Sequence, residues 1–408
     1  MRIAIISKSD ETGGGASRVA AVLADLLTER GEQATHLIGW SRDGGDRLHG
    51  SRLASSACLK LNALGRRIGF AETIPWETPF LLSRLAALSP DVVHFHDTST
   101  TVSPSSVAAV ARRYPTAWTF HDCSPFTGGC LYPQLHECTR YKENCGSCPG
   151  RGEWPIDGVL DTTPLALRLR RSVHRALDVA PIAPSAWMAR LAAESGNLDR
   201  TVSVVSNSIE TDVFVPAADK ARLRRKLGIP QGSFVVLAGA GNVMDPRKGV
   251  LDSVAVARSL GGDVTLALLG NPDRRIGPYV EGMSVMASGY VRDRHELAEW
   301  YASADALAFC SKSDNQPLFV LEALSSGLPV FSLPTGGVPE MVDGECGGIA
   351  ADVQEMIAMI ESARQANALP LMSSRARKRA EERYSPALFA TEHQRVYRDE
   401  IERRKSAR

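Results

Sequence analysis

Residues 311–340, SKSDNQPLFVLEALSSGLPVFSLPTGGVPE, set an acidic pair, a short apolar helix pattern and a Gly-Gly turn in one unit. Asp314 and Glu322 stand eight positions apart. Pro317 and the apolar residues after it predict that a helix begins between them. One carboxylate then lies in the loop at the helix mouth and the other about a turn inside. Backbone N–H groups at a helix start attract anions, and neighbouring carboxylates accept hydrogen bonds from sugar hydroxyls. The unit therefore suits a phosphorylated sugar such as a nucleotide sugar. By residue type alone, a helix start with two ordinary acids stands beside that reading.

Outward from this unit, strands alternate with helices. SFVVLAGAG (233–241) predicts a buried strand, GVLDSVAVARSL a helix, DVTLALLG a second strand, and ELAEWYASADALAFCS a helix and strand leading into the quoted stretch. The front half repeats the pattern: strand Arg2 to Ser7, the turn Gly13, Gly14, Gly15, and a helix that stops at Gly31. DVVHFHD (91–97) and TAWTFHD (116–122) are strand-like runs that each end in His-Asp. Ligands bind at the ends of parallel strands, which makes His121 beside Asp122 a candidate site residue, while a histidine on a strand is more often structural, the reading given to His94 and His96. Such alternation in both halves predicts two Rossmann-like doubly wound domains.

A length of 408 residues suits two domains of roughly 200 residues each. The 44% hydrophobic and 23% charged residues are ordinary for a globular protein, and a net charge of +1 argues against a nucleic-acid binder. No apolar run approaches the ~18 residues that span a bilayer, and the apolar stretch of MRIAIISKSD is too short for a signal peptide. A cytoplasmic protein is expected. LKLNALGRRIGF (59–70), with Lys60, Arg66 and Arg67 among apolar residues, is either a peripheral contact with an anionic membrane or an ordinary surface helix.

The quoted stretch resembles the signature of the retaining GT-B glycosyltransferases of family 4 (GT4), an acid pair of the form Glu-x7-Glu, then Ala, Gly-x-Pro-Val and Gly-Gly-x-Pro-Glu. Here these are Glu322-Ala323, Gly327 to Val330 and Gly336 to Glu340, with Asp314 in place of the first glutamate. PIAPSAWMARLAAESG and VSVVSNSIETDVFVP resemble the family's last front-domain elements and its Asn-Gly-Ile-Asp crossing, read here as Asn207, Ser208, Ile209, Glu210. The resemblance implies a GT-B fold, two Rossmann-like domains facing across a cleft. It implies an acceptor-binding domain over 1–206 with a Cys-rich loop at 123–150, a nucleotide-sugar domain over 207–384, and a helix over 385–408 returning to the first domain.

The resemblance also assigns roles. Lys248, before Gly249, matches a lysine that binds the donor diphosphate; Asn242 stands where many members have arginine, so Arg247 is its substitute. Glu322 would accept from the donor ribose, and Asp314 would contact the transferred sugar near its anomeric carbon. Gly14, Gly15, Gly336 and Gly337 would lie near the phosphates, the main chain at Val291 near the base, and His121 near the transferred sugar. A UDP- or GDP-sugar donor, a glycan or lipid-linked acceptor and no catalytic metal are expected. The alternative is a non-catalytic sugar-nucleotide-binding subunit with a degenerate donor site, for which Asp314 and Asn242 speak. A nicotinamide oxidoreductase is disfavoured by the missing Gly-x-Gly-x-x-Gly spacing.

Cys130, Cys138, Cys145 and Cys148 are spaced x7, x6 and x2, and the terminal Cys-x-x-Cys is a common half of a tetrahedral zinc site. A structural zinc on these four is the expectation, with disulfides and buried free thiols as open alternatives.

Overall fold

The computed structural model describes residues 1–41, 45–271 and 273–406. Two compact units divide the chain: Met1–Ser206 with Phe389–Arg408, and Asn207–Leu388. Residues 407 and 408 of the expected terminal helix lie outside the described residues.

The first unit is built on six parallel strands, β1 (Arg2–Ser9), β2 (Gln33–Trp40), β3 (Val92–Phe95), β4 (Thr116–Thr119), β5 (Val179–Ala183) and β6 (Ser203–Val204). Their order is β2-β1-β3-β4-β5-β6. The central strands β3, β4 and β5 are buried throughout because helices cover both faces. Helix Gly15–Glu29 buries Val19, Ala20, Leu23 and Leu27, a stripe at helical spacing. Helix Pro386–Ser406 buries Phe389, Ala390, His393, Val396, Tyr397 and Glu400 along one side, and from Phe389 onward belongs to this unit.

The second unit holds β7 (Phe234–Asn242), β8 (Val264–Asn271), β9 (Ser284–Gly289), β10 (Ala306–Phe309), β11 (Val330–Ser332) and β12 (Gly347–Ile349), all parallel. Their order is β12-β11-β10-β7-β8-β9. Strand β7 shows why the sheet is doubly covered. Val235 and Leu237 pack with Tyr301, Leu307 and Leu321, whereas Phe234, Val236 and Ala238 pack with Val254, Leu266 and Ala308. Period-two alternation thus feeds two cores. Strand order reverses between β1 and β3 in one sheet and between β10 and β7 in the other. At such a reversal the two following loops part and leave room for a ligand.

Candidate active site

In the second unit the reversal is flanked by the loop after β7 and the loop after β10. The first, residues 242–249, is wound tightly: Asn242 Oδ1 accepts from the Met244 N–H at 3.0 Å and Asp245 Oδ1 from the Arg247 N–H at 2.9 Å. It ends at Gly249, which has a φ of 59°, and a Cβ there would stand 1.9 Å from the Cys310 carbonyl oxygen. Only glycine lets this loop press against the end of β10 before helix Val250–Ser259 begins.

That approach delivers Lys248 to Asp314, with Nζ at 2.8 and 2.9 Å from the two carboxylate oxygens. Ser311 Oγ donates to the same carboxylate at 2.5 Å. Arg247 Nη1 donates to the Ser313 carbonyl at 3.0 Å and lies 3.6 Å from Asp314 Oδ1. Lys248, Arg247 and Asp314 are thus brought together from positions far apart in sequence.

Helix Leu318–Ser325 starts at Pro317, as its sequence predicts, and carries Glu322 on its buried side. Glu322 enters a different network. Its Oε1 lies 2.7 Å from Arg294 Nη1 and its Oε2 accepts from the Tyr301 hydroxyl at 2.7 Å. Arg294 also pairs with Glu210, at 2.6 Å through Nη2, and lies over the Phe214 ring at 4.4 Å. Burial opposes the charge of Arg294, but the carboxylates of Glu322 and Glu210 outweigh it and raise its pKa above the ordinary value.

Sequence reading missed Arg294, stopping at Val291 in the same loop. A signal was present: Asp293 caps helix Arg294–Ser303 by accepting from the Glu296 N–H, so Arg294 is its first residue, where a cation meets the positive end of the helix dipole. Such a placement calls for a carboxylate partner. Val291 itself is partly buried against the core. The tetrapeptide 207–210 was read as a crossing only, yet Asn207 also holds the loop after β10, with its N–H on Gln316 Oε1 at 2.6 Å.

Gly336 has a φ of 54° and Gly337 donates its N–H to the Asn315 carbonyl at 2.9 Å, so the Gly-Gly turn braces the Asp314 loop. In the first unit Asp10 caps the turn Glu11–Gly13, and Gly14, at a φ of 114°, precedes helix Gly15–Glu29 with no side chain capping its first N–H groups. His121 follows β4. Its Nε2 lies 3.0 Å from His96 Nδ1, and His96 Nε2 lies 3.2 Å from His94 Nδ1. The histidines taken as structural are thus bonded to the one taken as functional.

The zinc expectation is not supported. Among the described residues no group of three or more His, Cys, Asp or Glu is placed to hold a metal ion, and Cys130, Cys138, Cys145 and Cys148 are free thiols. The loop is held by other means. Asn197 Nδ2 donates to the Phe126 and Tyr141 carbonyls at 2.7 and 3.0 Å, and Arg140 Nη1 donates to those of Gly146 and Ser147 at 2.7 and 2.6 Å. Cys145 packs against the core. Burial pushes the Cys130 thiol up to about 12 and that of Cys145 to about 11, so both stay neutral.

Comparison with known proteins bears on the family and the fold. The family described as Glycosyltransferase Family 4 matches residues 13–213, and that described as Glycosyl transferases group 1 matches residues 235–365. The putative colanic acid biosynthesis glycosyl transferase WcaC of Escherichia coli (strain K12) is 25% identical over 369 residues, covering 85% of this chain and 87% of the relative. A D-inositol 3-phosphate glycosyltransferase of Streptomyces scabiei is 30% identical over 183 residues, 39% of this chain and 41% of its own length. Sucrose-phosphate synthase from Thermosynechococcus elongatus superimposes with a TM-score of 0.72 at 16% identity, covering 98% of each chain. Anabaena HepE in complex with UDP does so at 0.68 and 16%, covering 98% of this chain and all of the other. These likenesses show the same GT-B fold. With two doubly wound sheets, the signature of residues 311–340 and both family matches in register, the chain belongs to the GT4-type glycosyltransferases.

Proposed function

We propose that the chain moves a sugar from a UDP- or GDP-linked donor to a glycan or lipid-linked acceptor, with retention at the anomeric carbon, in polysaccharide or glycoconjugate assembly. One observation carries the reading: Lys248 and Asp314 meet at 2.8 Å from the two loops that flank the strand-order reversal of the second unit. The names of relatives support it, since WcaC is a colanic acid glycosyl transferase and HepE is seen with UDP and with UDP-glucose.

In this reading residues 207–384 take the donor, and residues 1–206 with the terminal helix take the acceptor. The bond between the anomeric carbon and the β-phosphate oxygen breaks, and its electron pair leaves with the nucleoside diphosphate. Lys248 exchanges Asp314 for the diphosphate and, with Arg247, stabilises the charge that gathers there. Asp314, so released, accepts from sugar hydroxyls near the anomeric carbon. The acceptor oxygen bonds to that carbon on the same face, and its proton passes to the departing phosphate oxygen. Ribose hydroxyls reach Glu322 by sharing its oxygens with Arg294 and Tyr301, the base lies along the main chain at Val291, and Gly14, Gly15, Gly336 and Gly337 allow close approach of backbone to the phosphates.

Release of UDP or GDP from a panel of donor sugars tests the assignment. Lys248→Ala and Glu322→Gln are expected to abolish turnover with far-UV dichroism unchanged, and full turnover in both ends the proposal. Thermal shifts with UDP-, GDP-, ADP- and TDP-sugars identify the base. A donor that binds with no transfer to any acceptor supports the non-catalytic alternative.

The proposed location is the cytoplasm, with peripheral membrane contact. Among the described residues no helix is long and apolar enough to cross a membrane. Helix Arg52–Ile68 contains no acidic residue and exposes Leu53, Leu61, Leu64 and Ile68 beside Lys60 and Arg67, a composition suited to an anionic lipid surface. Co-sedimentation with anionic but not with zwitterionic vesicles is expected, lost in Leu53→Asp/Leu64→Asp. Equal sedimentation with both removes the idea.

A further inference from the structure

Both oxygens of the buried Glu322 carboxylate are gripped from one helix. Arg294 opens helix Arg294–Ser303, and Tyr301 follows two turns later at ~3.6 residues per turn, which puts both on one face. Arg294 Nη1 donates to Glu322 Oε1 and the Tyr301 hydroxyl to Oε2, each at 2.7 Å. A carboxylate held through one oxygen can swing about that bond, whereas one held through both keeps its plane.

The guanidinium is fixed in turn. Its Nε and Nη2 fork onto the two oxygens of Glu210 at 3.2 and 2.6 Å, and it lies over the Phe214 ring at 4.4 Å. Phe214 meets the Tyr301 ring edge to face, with centroids 5.8 Å apart at 73°, so both anchors rest on one aromatic support. The bonded set of Glu210, Arg294 and Glu322 carries one positive charge against two negative ones. That sign is wrong for a phosphate and right for hydroxyl donors. Without Arg294, Tyr301 would hold a single oxygen, in a place where burial penalises a carboxylate that has lost its counter-ion.

We propose that Arg294 is a positioning residue that sets the plane of the Glu322 carboxylate and thereby makes the donor site select nucleotides with a 2′,3′-diol over those without one. The inference rests on the reading of Glu322 as the ribose acceptor given above. Vicinal hydroxyls need an acceptor in one fixed orientation to bond together, and Arg294 supplies that orientation without touching the nucleotide.

Calorimetric titration of the full chain with UDP, GDP and their 2′,3′-dideoxy forms tests this. Wild type is expected to bind the ribonucleotide it accepts roughly a hundredfold tighter than the dideoxy form, the order of two hydrogen bonds to a charged group. In Arg294→Met the preference falls to roughly tenfold or less, because ribonucleotide affinity drops while dideoxy affinity stays, and Glu322→Gln loses it likewise. Arg294→Lys, which keeps the charge without the fork, falls between wild type and Arg294→Met. Equal weakening of both forms in Arg294→Met marks a structural role only and overturns the proposal, as does a full preference kept there. In either case a preference lost in Glu322→Gln leaves the ribose reading standing. Wild type that binds both forms alike, or binds neither UDP nor GDP, defeats the ribose reading and the proposal with it. Should Arg294→Met fail to fold, Arg294→Lys decides, and an undiminished preference in it overturns the proposal.

Discussion

The polar residues at the strand ends of the two sheets are buried in opposite ways. In the first unit His94, His96 and His121 are bonded to one another, and His94 also to the hydroxyls of Tyr397 and Thr119. In the second, half-buried Lys248 pairs with buried Asp314, and half-buried Arg294 with Glu322 and Glu210. Burial disfavours charge in both places. Where a counter-ion comes with the group the charge survives, and where only neutral partners come it is given up. A site for diphosphate needs the first arrangement, and a residue that receives a neutral hydroxyl is served by the second.

Acid should break the symmetry between the units most strongly. Burial lowers His36, His49, His174 and His393 to about 4, His121 to about 3, and His94 and His96 well below the ordinary value, all in the first unit. Their folded values lie below the ordinary 6.5, so the unfolded chain takes up protons that the folded unit refuses. Stability from these groups is present above pH ~6.5 and lost as pH falls toward ~4. Asp122, raised by burial to about 6, acts in the opposite sense, as do Asp97 and Glu72, whose values are also raised by burial. With Asp25 and Glu400, raised likewise by burial, five such groups do not offset seven. Amide exchange followed by mass spectrometry should show β1 to β5 losing protection between pH 6.5 and 4 while β7 to β11 keep theirs; simultaneous loss refutes the contrast.

A backbone effect confined to the second unit comes next. Gly249→Ala forces a Cβ onto the Cys310 carbonyl at a left-handed φ. A loss of roughly 3 kcal/mol or more is expected in urea unfolding, and a loss under ~1 kcal/mol would show that the loop relaxes. Arg294→Lys keeps the charge but loses the fork that joins Glu210 to Glu322, at about 1–2 kcal/mol. A double-mutant cycle with Glu210→Gln measures that coupling, and additivity would dissolve the network. The smallest effect is that of Tyr301→Phe, about 1 kcal/mol for one hydrogen bond to Glu322, read as a lowered Tm.

Legibility of the site followed distance along the chain. Residues 311–340 contain Asp314, the helix start at Pro317, Glu322 and the Gly-Gly turn, and each of these local features is where its neighbours predict it. Lys248 was found because Gly249 follows it. Arg294 was overlooked because its partners are Glu210 and Glu322, 84 and 28 positions away. The cysteines misled because Cys-x-x-Cys is a local pattern, while Asn197 and Arg140, which hold the loop, are ordinary residues whose role appears only with their acceptors in place.

By itself the chain's order of apolar runs and glycine turns determined two doubly wound sheets, since strand and helix periodicities are properties of neighbouring residues. Only the tertiary structure decided which charges and rings meet: Lys248 with Asp314 across 66 residues, and His94 with Tyr397 across 303. Strand order in a parallel sheet does not follow chain order, and the reversals that bring these loops together are set by packing of whole elements, on which local sequence has no bearing.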